Sequence, residues 1–229
     1  LRPRKDSIGA SWTDMRLLIM GPPGAGKGSQ AELIAKHYSI PHISTGDMFR
    51  KAISEKTPTG LLAKSYIDKG ELVPDQVTTE LVRGRLKEAD ARDGFLLDGF
   101  PRTIAQAGML EEILQEEGIK IDLVINLVVE DDTLIRRISG RRICKTCGRT
   151  YHVDTKRPAK EGECDHCGGE LFQRADDNEE TVRNRLAVYY RETEPLLECY
   201  QAKGLLKNID GEGSIEAIFE EVKAVLGGI

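Results

Sequence analysis

A short apolar run that breaks into glycines and prolines and then meets a lysine, LLIMGPPGAGKGS over residues 17–29, constrains this chain more than any other stretch. The apolar part reads as a buried strand and the following QAELIAKHY as a helix, so the glycines form the turn between them. Gly21, Gly26 and Lys27 stand at the spacing of a phosphate-cradling loop. Such a loop turns backbone N–H groups inward while the helix aims its positive end at the same point. Glycines are required because side chains would block the approach of the oxyanions. The hydroxyl that usually follows the lysine is missing. Gly28 stands there and Ser29 comes one residue later, so magnesium ligation lacks its usual group at that position. The expected ligand is a nucleoside triphosphate.

The strand-and-helix rhythm continues. PHIS, residues 41–44, is a second short strand that ends at Thr45-Gly46-Asp47 before the helical MFRKAISEK. Polar residues at the carboxyl end of a strand occupy the place where open α/β sheets bind ligands. Helical patterning resumes over residues 60–69, breaks over 70–74, and restarts at Asp75, which is suited to cap a helix running to Leu86. Residues 44–73 thus form a small helical excursion. FLLD, residues 95–98, is a third strand, ending in a carboxylate ahead of Gly99-Phe100-Pro101-Arg102. An acid at the tip of an apolar strand in a phosphate-loop protein commonly holds magnesium, often through water. Arg102 offers a planar fork suited to phosphate, and Gln106 lies one helical turn further on. DLVINLVV, residues 122–129, is apolar at nearly every position, as befits a strand covered on both faces. The charged helix DDTLIRRIS follows and ends at Gly140. The alternation predicts an α/β fold: a phosphate-loop core with a mostly parallel sheet flanked by helices.

Patterning changes from Gly140 to Asp177. Cys144-x-x-Cys147 and Cys164-x-x-Cys167 are separated by 16 residues, within the spacing of a four-thiolate zinc site. Four thiolates fill a tetrahedral shell and leave no position for water, so the metal is expected to be structural. It would staple a segment too small to hold itself together. His152 and His166 are nearby alternative ligands, and Cys199 is expected to be a packed core residue. Asp177, with Glu180 three residues on, is expected to cap the next helix, which contains Arg185; Arg174 precedes it. A final helix over residues 214–226 carries Ile215, Ile218, Phe219, Val222 and Leu226 on one stripe and ends at Gly227-Gly228.

Composition narrows the function classes. A net charge of −5 over 229 residues argues against a general nucleic-acid or membrane surface, so an anion site must be built locally from arginines. No apolar run approaches the roughly 20 residues of a membrane span. The start of the chain, LRPRKDSIGASWTD, lacks the apolar core of a secretory signal, and a cytoplasmic location is expected. Residues 1–14 read as an N-terminal extension or an expression remnant, with Met15 directly before the first strand. Four closely paired cysteines suit a metal in a reducing compartment better than disulfides.

GPPGAGKGSQ, STGDMFR, LLDGFPRTIAQA, the GRR before the cysteine knuckles and RADDNEETVRNRL occur in one order. Taken together they closely resemble the adenylate kinase family, over almost everything after Met15, and specifically the long-lid bacterial type whose lid carries zinc cysteines. The family's loop also has glycine after its lysine, and Ser29 stands where threonine is common. The resemblance implies a core (residues 15–43, 74–139 and 178–229), an AMP-binding insertion (44–73) and a zinc-binding lid (140–177). It implies an enzyme that transfers a phosphoryl group reversibly from ATP to AMP, giving two ADP, with Mg2+ accompanying ATP.

Carried over residue by residue, it implies that Gly24, Ala25, Gly26, Lys27, Gly28 and Ser29 wrap the ATP phosphates, with Lys27 following charge on the transferring group. Thr45, Arg50, Glu71, Leu72, Val73, Gly99, Phe100, Pro101, Arg102 and Gln106 would hold AMP, Gln106 reading the adenine edge. Arg137, Arg141, Arg174 and Arg185 would surround the transferring phosphoryl, with Thr150 and Tyr151 reaching ATP from within the lid and Gly213 near its adenine. Asp98 would orient magnesium, Asp176 and Asp177 would hold the lid's arginines, and Cys144, Cys147, Cys164 and Cys167 would bind zinc. A monomer that acts on nucleotides, with no nucleic-acid or membrane partner, is expected.

Two rival readings stay open on sequence. A kinase for another nucleoside monophosphate would use the same core, although the zinc-bearing lid and the pairing of Thr45 with Gln106 favour AMP. A zinc-ribbon module for nucleic acid would need a basic face, whereas Glu161, Glu163, Asp165 and Glu170 give the knuckles mixed charge.

Overall fold

The computed structural model describes residues 14–228. The N-terminal extension expected over residues 1–14 lies, apart from Asp14, outside the described residues. Five parallel strands form the main sheet: β1 (Arg16–Met20), β2 (His42–Ser44), β3 (Phe95–Asp98), β4 (Leu123–Val128) and β8 (Leu206–Asp210), in the order β2-β3-β1-β4-β8. Successive side chains face opposite sides of the sheet, so each strand feeds two cores. Leu17, Ile19, Ile125 and Leu127 pack with Ile34, Leu134, Val182 and Val222 on one face. Leu18, Met20, Leu97 and Val124 pack with Val82, Leu110 and Leu196 on the other. This double burial explains why β1, β3 and β4 read as continuous apolar runs.

The helices that cover the sheet follow the strands in turn. α1 (Lys27–Tyr38) leaves β1 and lies on the first face; α2 (Thr45–Ser54) and α3 (Pro58–Ile67) leave β2 as a helical pair; and α4 (Asp75–Leu86) returns the chain to β3. α5 (Ile104–Glu116) crosses the second face to β4, after which α6 (Asp131–Ser139) returns to the first. β1 and β3 are neighbours whose connections run to opposite sides of the sheet. That arrangement opens a crevice at their carboxyl ends, where the phosphate loop and the turn after Asp98 emerge side by side.

After α6 the chain builds a separate antiparallel sheet from β5 (Arg141–Cys144), β6 (Thr150–His152) and β7 (Leu171–Phe172), in the order β6-β5-β7. Its apolar cluster is only Cys144, Tyr151 and Cys164 with Leu171 against them. The chain then re-enters the main body through α7 (Glu179–Val188), a short π-helical segment, α8 (Pro195–Ala202), β8 and α9 (Ile215–Leu226). α9 begins at Ser214, whose hydroxyl accepts the Ala217 N–H, and buries Ile218, Val222 and Leu226 as the spacing predicts.

Three expectations need correction, and one strand was not expected. β8 has no counterpart in the sequence reading because only Ile209 of LKNID is buried; an edge strand lacks the apolar run that marked its neighbours. The cap of α7 is Asn178, whose Oδ1 accepts the Thr181 N–H at 3.0 Å, while Asp177 is fully buried in ion pairs. Asp75 is the first residue of α4 and accepts from Gln106 instead of capping. Cys199 is exposed, not packed in the core.

Ile125 is fully buried on β4 between β1 and β8. Ile125→Ala is expected to lower stability by about 2–5 kcal/mol, read as a drop in urea midpoint with an unchanged denaturant slope.

Candidate active site

The phosphate loop is shaped by two glycines in particular. Gly21 has φ of 135°, and a Cβ there would lie 2.7 Å from the Leu127 carbonyl oxygen, so the loop can leave β1 only without a side chain. Gly26 has φ of 92° and caps α1, while the space beside it holds no protein atom within 4 Å. The open side of the loop and the start of α1 therefore face the crevice, which widens into a cleft of about 1170 Å³.

Around that cleft the fold gathers residues from distant parts of the chain. Gly24 to Ser29, Thr45, Arg50, Glu71 to Val73, Asp98, Gly99, Pro101, Arg102 and Gln106 all line it. So do Arg137, Arg141, Thr150, Tyr151, Arg174, Asp176, Arg185 and Gly213. Two expected residues do not. Phe100 is 2% exposed and packs in the second core, where its bulk anchors the turn after β3. Asp177 lies behind the cleft, without exposure.

Lys27 folds back over its own loop, Nζ donating to the carbonyls of Gly21 (2.7 Å) and Pro22 (2.8 Å). Burial pushes its pKa down to about 7; the charge of Asp98 opposes that shift, while Arg102, Arg185 and Arg141 reinforce it. Burial and the neighbouring Arg185 likewise bring Arg102 down to about 10, and burial with Arg50 and Arg141 brings Arg174 down to about 9. The arginines stay protonated at neutral pH, so the cleft concentrates positive charge that only an anion relieves.

Carboxylates and carbonyls hold this cationic ring in position. Asp177 takes Arg141 in a two-pronged pair, Nε donating to Oδ2 at 2.9 Å and Nη2 to Oδ1. Arg185 Nη1 donates to Asp176 Oδ2 at 3.0 Å and approaches Asp177 Oδ1 at 3.4 Å. Arg102 Nε donates to the Gly99 carbonyl at 2.7 Å, the oxygen that also accepts from the Thr45 hydroxyl at 2.8 Å. The amide of Gln106 is engaged twice: its Oε1 accepts the Arg102 N–H and its Nε2 donates to Asp75 Oδ1, both at 2.8 Å.

Asp98 has a partner that the sequence did not announce. His42 Nε2 lies 3.2 Å from Asp98 Oδ2 across adjacent strands, and a histidine opening a three-residue strand carries no signal of such a role. Burial opposes its charge, yet the hydrogen bond and charge of Asp98, with Asp47 and Glu32 behind them, outweigh burial and raise its pKa.

In the small sheet, the sulfurs of Cys144, Cys147, Cys164 and Cys167 lie within 4.8 Å of one another, and no disulfide joins them. Cys144 and Cys167 are 3.4 Å apart and Cys147 and Cys164 3.6 Å apart, close to the edge of about 3.8 Å in a zinc–sulfur tetrahedron with bonds near 2.3 Å. The donor set therefore fits zinc. His152 is committed elsewhere: its Nδ1 accepts from the Asp154 and Thr155 N–H groups, and its Nε2 donates to the Arg136 carbonyl. His166 is exposed and stands outside the metal-ligating group found among the described residues.

Because His42 titrates above its ordinary value of 6.5 in the folded chain, the pair with Asp98 stabilises fully below that value. Its contribution is lost as pH rises through the folded pKa. The stability cost of His42→Asn in urea melts is thus expected to be largest in mildly acidic buffer and to shrink in mildly alkaline buffer. A cost independent of pH would contradict it.

Comparison with known proteins agrees with this geometry. A family model described as adenylate kinase matches residues 19–205. An adenylate kinase of Geobacillus sp. (strain WCH70) is 60% identical over 215 residues, 94% of this chain and 100% of its own length. The adenylate kinases of Bacillus pumilus (strain SAFR-032) and Bacillus subtilis (strain 168) are 60% and 59% identical, each over 94% of this chain and 99% of their own. Family model, near-complete coverage and a phosphate loop opening onto a ring of arginines agree: the chain belongs to the adenylate kinase family of enzymes.

Proposed function

We propose that this chain transfers a phosphoryl group reversibly from ATP to AMP, giving two ADP, inside the cleft between phosphate loop, helical insertion and small sheet. The observation that carries the reading is the convergence of Lys27, Arg102, Arg141, Arg174 and Arg185 on one crevice. Phosphoryl transfer needs in-line positioning and cations around the equatorial oxygens more than covalent help. An AMP phosphate oxygen attacks the γ-phosphorus, a new P–O bond forms, and the bond to the β-phosphate oxygen breaks with its electron pair leaving on ADP. The attacking phosphate is already anionic, so no general base is required.

The loop backbone from Gly24 to Ser29 holds the donor phosphates, and Lys27 exchanges the Gly21 and Pro22 carbonyls for phosphate oxygens. The added negative charge returns its pKa toward that of an ordinary lysine. Thr45, Arg50, residues 71–73, Gly99 and Arg102 hold the acceptor. Gln106 reads its adenine by exchanging Asp75 for the base edge. Gly213 lies toward the donor adenine. Arg137 and Arg141 approach from the base of the small sheet with Arg174 and Arg185 beside them, and Asp177 keeps Arg141 aimed as Asp176 keeps Arg185. Asp98, hydrogen-bonded to His42, would hold the Mg2+ that accompanies ATP, and that ion would supply neutralisation of phosphate charge.

Residues 140–177 act as a lid over the core and residues 44–73 as the AMP-binding insertion. A closing lid excludes water, which would otherwise compete as acceptor and waste ATP. Structural zinc on the four cysteines, action as a monomer and a cytoplasmic location belong to the same proposal. Among the described residues no helix is long and apolar enough to cross a membrane.

Competing AMP, GMP, UMP and CMP as acceptors in a coupled ADP assay tests the substrate, and any acceptor better than AMP would sink it. Arg102→Ala is expected to cut turnover about 100-fold or more with nucleobase preference intact; a variant that lost only base selectivity would misplace the residue. Replacing Cys144 and Cys147 together by serine is expected to lower the melting temperature more than activity at mild temperature. Unchanged melting with a large activity loss would speak against structural zinc.

A further inference from the structure

Tyr151 lines the cleft, but its hydroxyl points to different work. The residue is 3% exposed and belongs to the small cluster with Cys144, Cys164 and Leu171. Its hydroxyl oxygen accepts the Asp165 N–H at 2.9 Å and lies 3.4 Å from Cys164 Sγ, within hydrogen-bond reach of sulfur. A phenol that accepts an N–H keeps its own proton to give, and a metal-bound thiolate has no proton to offer. With metal held, the bond therefore runs in one direction, from the Tyr151 O–H to the Cys164 sulfur.

We propose that Tyr151 is a positioning residue of the metal site, which fixes and partly neutralises the Cys164 thiolate; this rests on the reading that the four cysteines hold zinc. Four thiolates around a divalent ion leave the site doubly negative, and donors to sulfur are what make such a charge tolerable inside a protein. The Cys147 N–H supplies one such donor to Cys144 Sγ at 3.5 Å. Tyr151 supplies a side-chain donor to the second knuckle, and its acceptance of the Asp165 N–H pins the backbone next to Cys164.

The placement links the metal to the cleft. Tyr151 pairs with Arg142 across β5 and β6, and Arg141 on the same strand pairs with His152. The second cysteine knuckle is thereby tied through one side chain to the hairpin that carries Arg141 to the nucleotide side. Leu171 and the two buried cysteines alone would be a thin core for that task.

The test uses the full-length, zinc-loaded protein and Tyr151→Phe, which keeps the ring and removes only the donor. Zinc transfer to a chromogenic chelator is expected to show about 10- to 100-fold weaker retention in the variant. In the cobalt-substituted proteins, the sulfur-to-metal charge-transfer band is expected to move to lower energy in the variant, because a thiolate that loses a hydrogen bond gives up its electron more easily. Equal retention with an unmoved band overturns the role of Tyr151 while leaving zinc in place. A wild-type protein that takes up no zinc overturns the zinc reading and this inference together. Should Tyr151→Phe fail to fold, cadmium-substituted wild type decides. Its Tyr151 hydroxyl proton is expected to exchange slowly and to correlate with the metal by NMR, and a hydroxyl proton that shows no correlation overturns the assignment.

Discussion

Positive charge crowded into one crevice is the constraint on which the rest of the molecule depends. Lys27, Arg102, Arg141, Arg174 and Arg185 repel one another, and burial in the cleft adds to the strain by removing water from them. A chain without a rigid support would let such side chains swing apart into solvent. Here Arg141 and Arg185 are held by Asp177 and Asp176, Arg102 by the Gly99 carbonyl and Lys27 by the carbonyls of the phosphate loop, while Arg174 feels the charges of Asp176 and Asp177. These partners are weaker or fewer than the oxygens of a polyphosphate, so the arrangement is poised to exchange them for a nucleotide.

The parallel sheet supplies that support. Apolar packing on both faces fixes β1 and β3 side by side, in a register that sets Ile19 opposite Asp98. The phosphate loop and the Asp98–Arg102 turn are thus fixed relative to each other, although residues 30–97 separate them in sequence. The small sheet is supported differently. Its apolar cluster is minimal, and beside it lie the four clustered sulfurs and polar contacts such as the His152 bridge to the Arg136 carbonyl. The two sheets thus differ in support, the parallel one packed on both faces and the small one carrying a cluster of four residues.

Much of this was legible from residue order. The phosphate loop, the FLLD and VINLV strands, the cysteine knuckles and the last helix stand close to where their local patterns place them, because each carries its signal within a few residues. The capping residues mislead for one reason. Asp75, Asp177 and Asn178 have similar capping chemistry in a sequence, but only tertiary packing reveals that Asp75 is taken by Gln106 and Asp177 by Arg141, leaving Asn178 to cap. β8 escaped notice because an edge strand with Lys207, Asn208 and Asp210 exposed resembles a loop. His42 and the hydroxyl of Tyr151 were invisible as partners because each acts on a residue from another strand or turn.

Residue order alone carries the class of fold, the phosphate loop, the zinc-type cysteine spacing and, through its ordered motifs, the family. These rest on backbone demands and short-range spacing, which the chain states locally. Which groups meet is visible in the folded chain alone: Asp98 with His42, Asp177 with Arg141, Asp176 with Arg185, and the Tyr151 hydroxyl with Cys164. Such pairings depend on strand order, register and burial, and the physical reason they cannot be read along the chain is that charge acts across space and not along sequence.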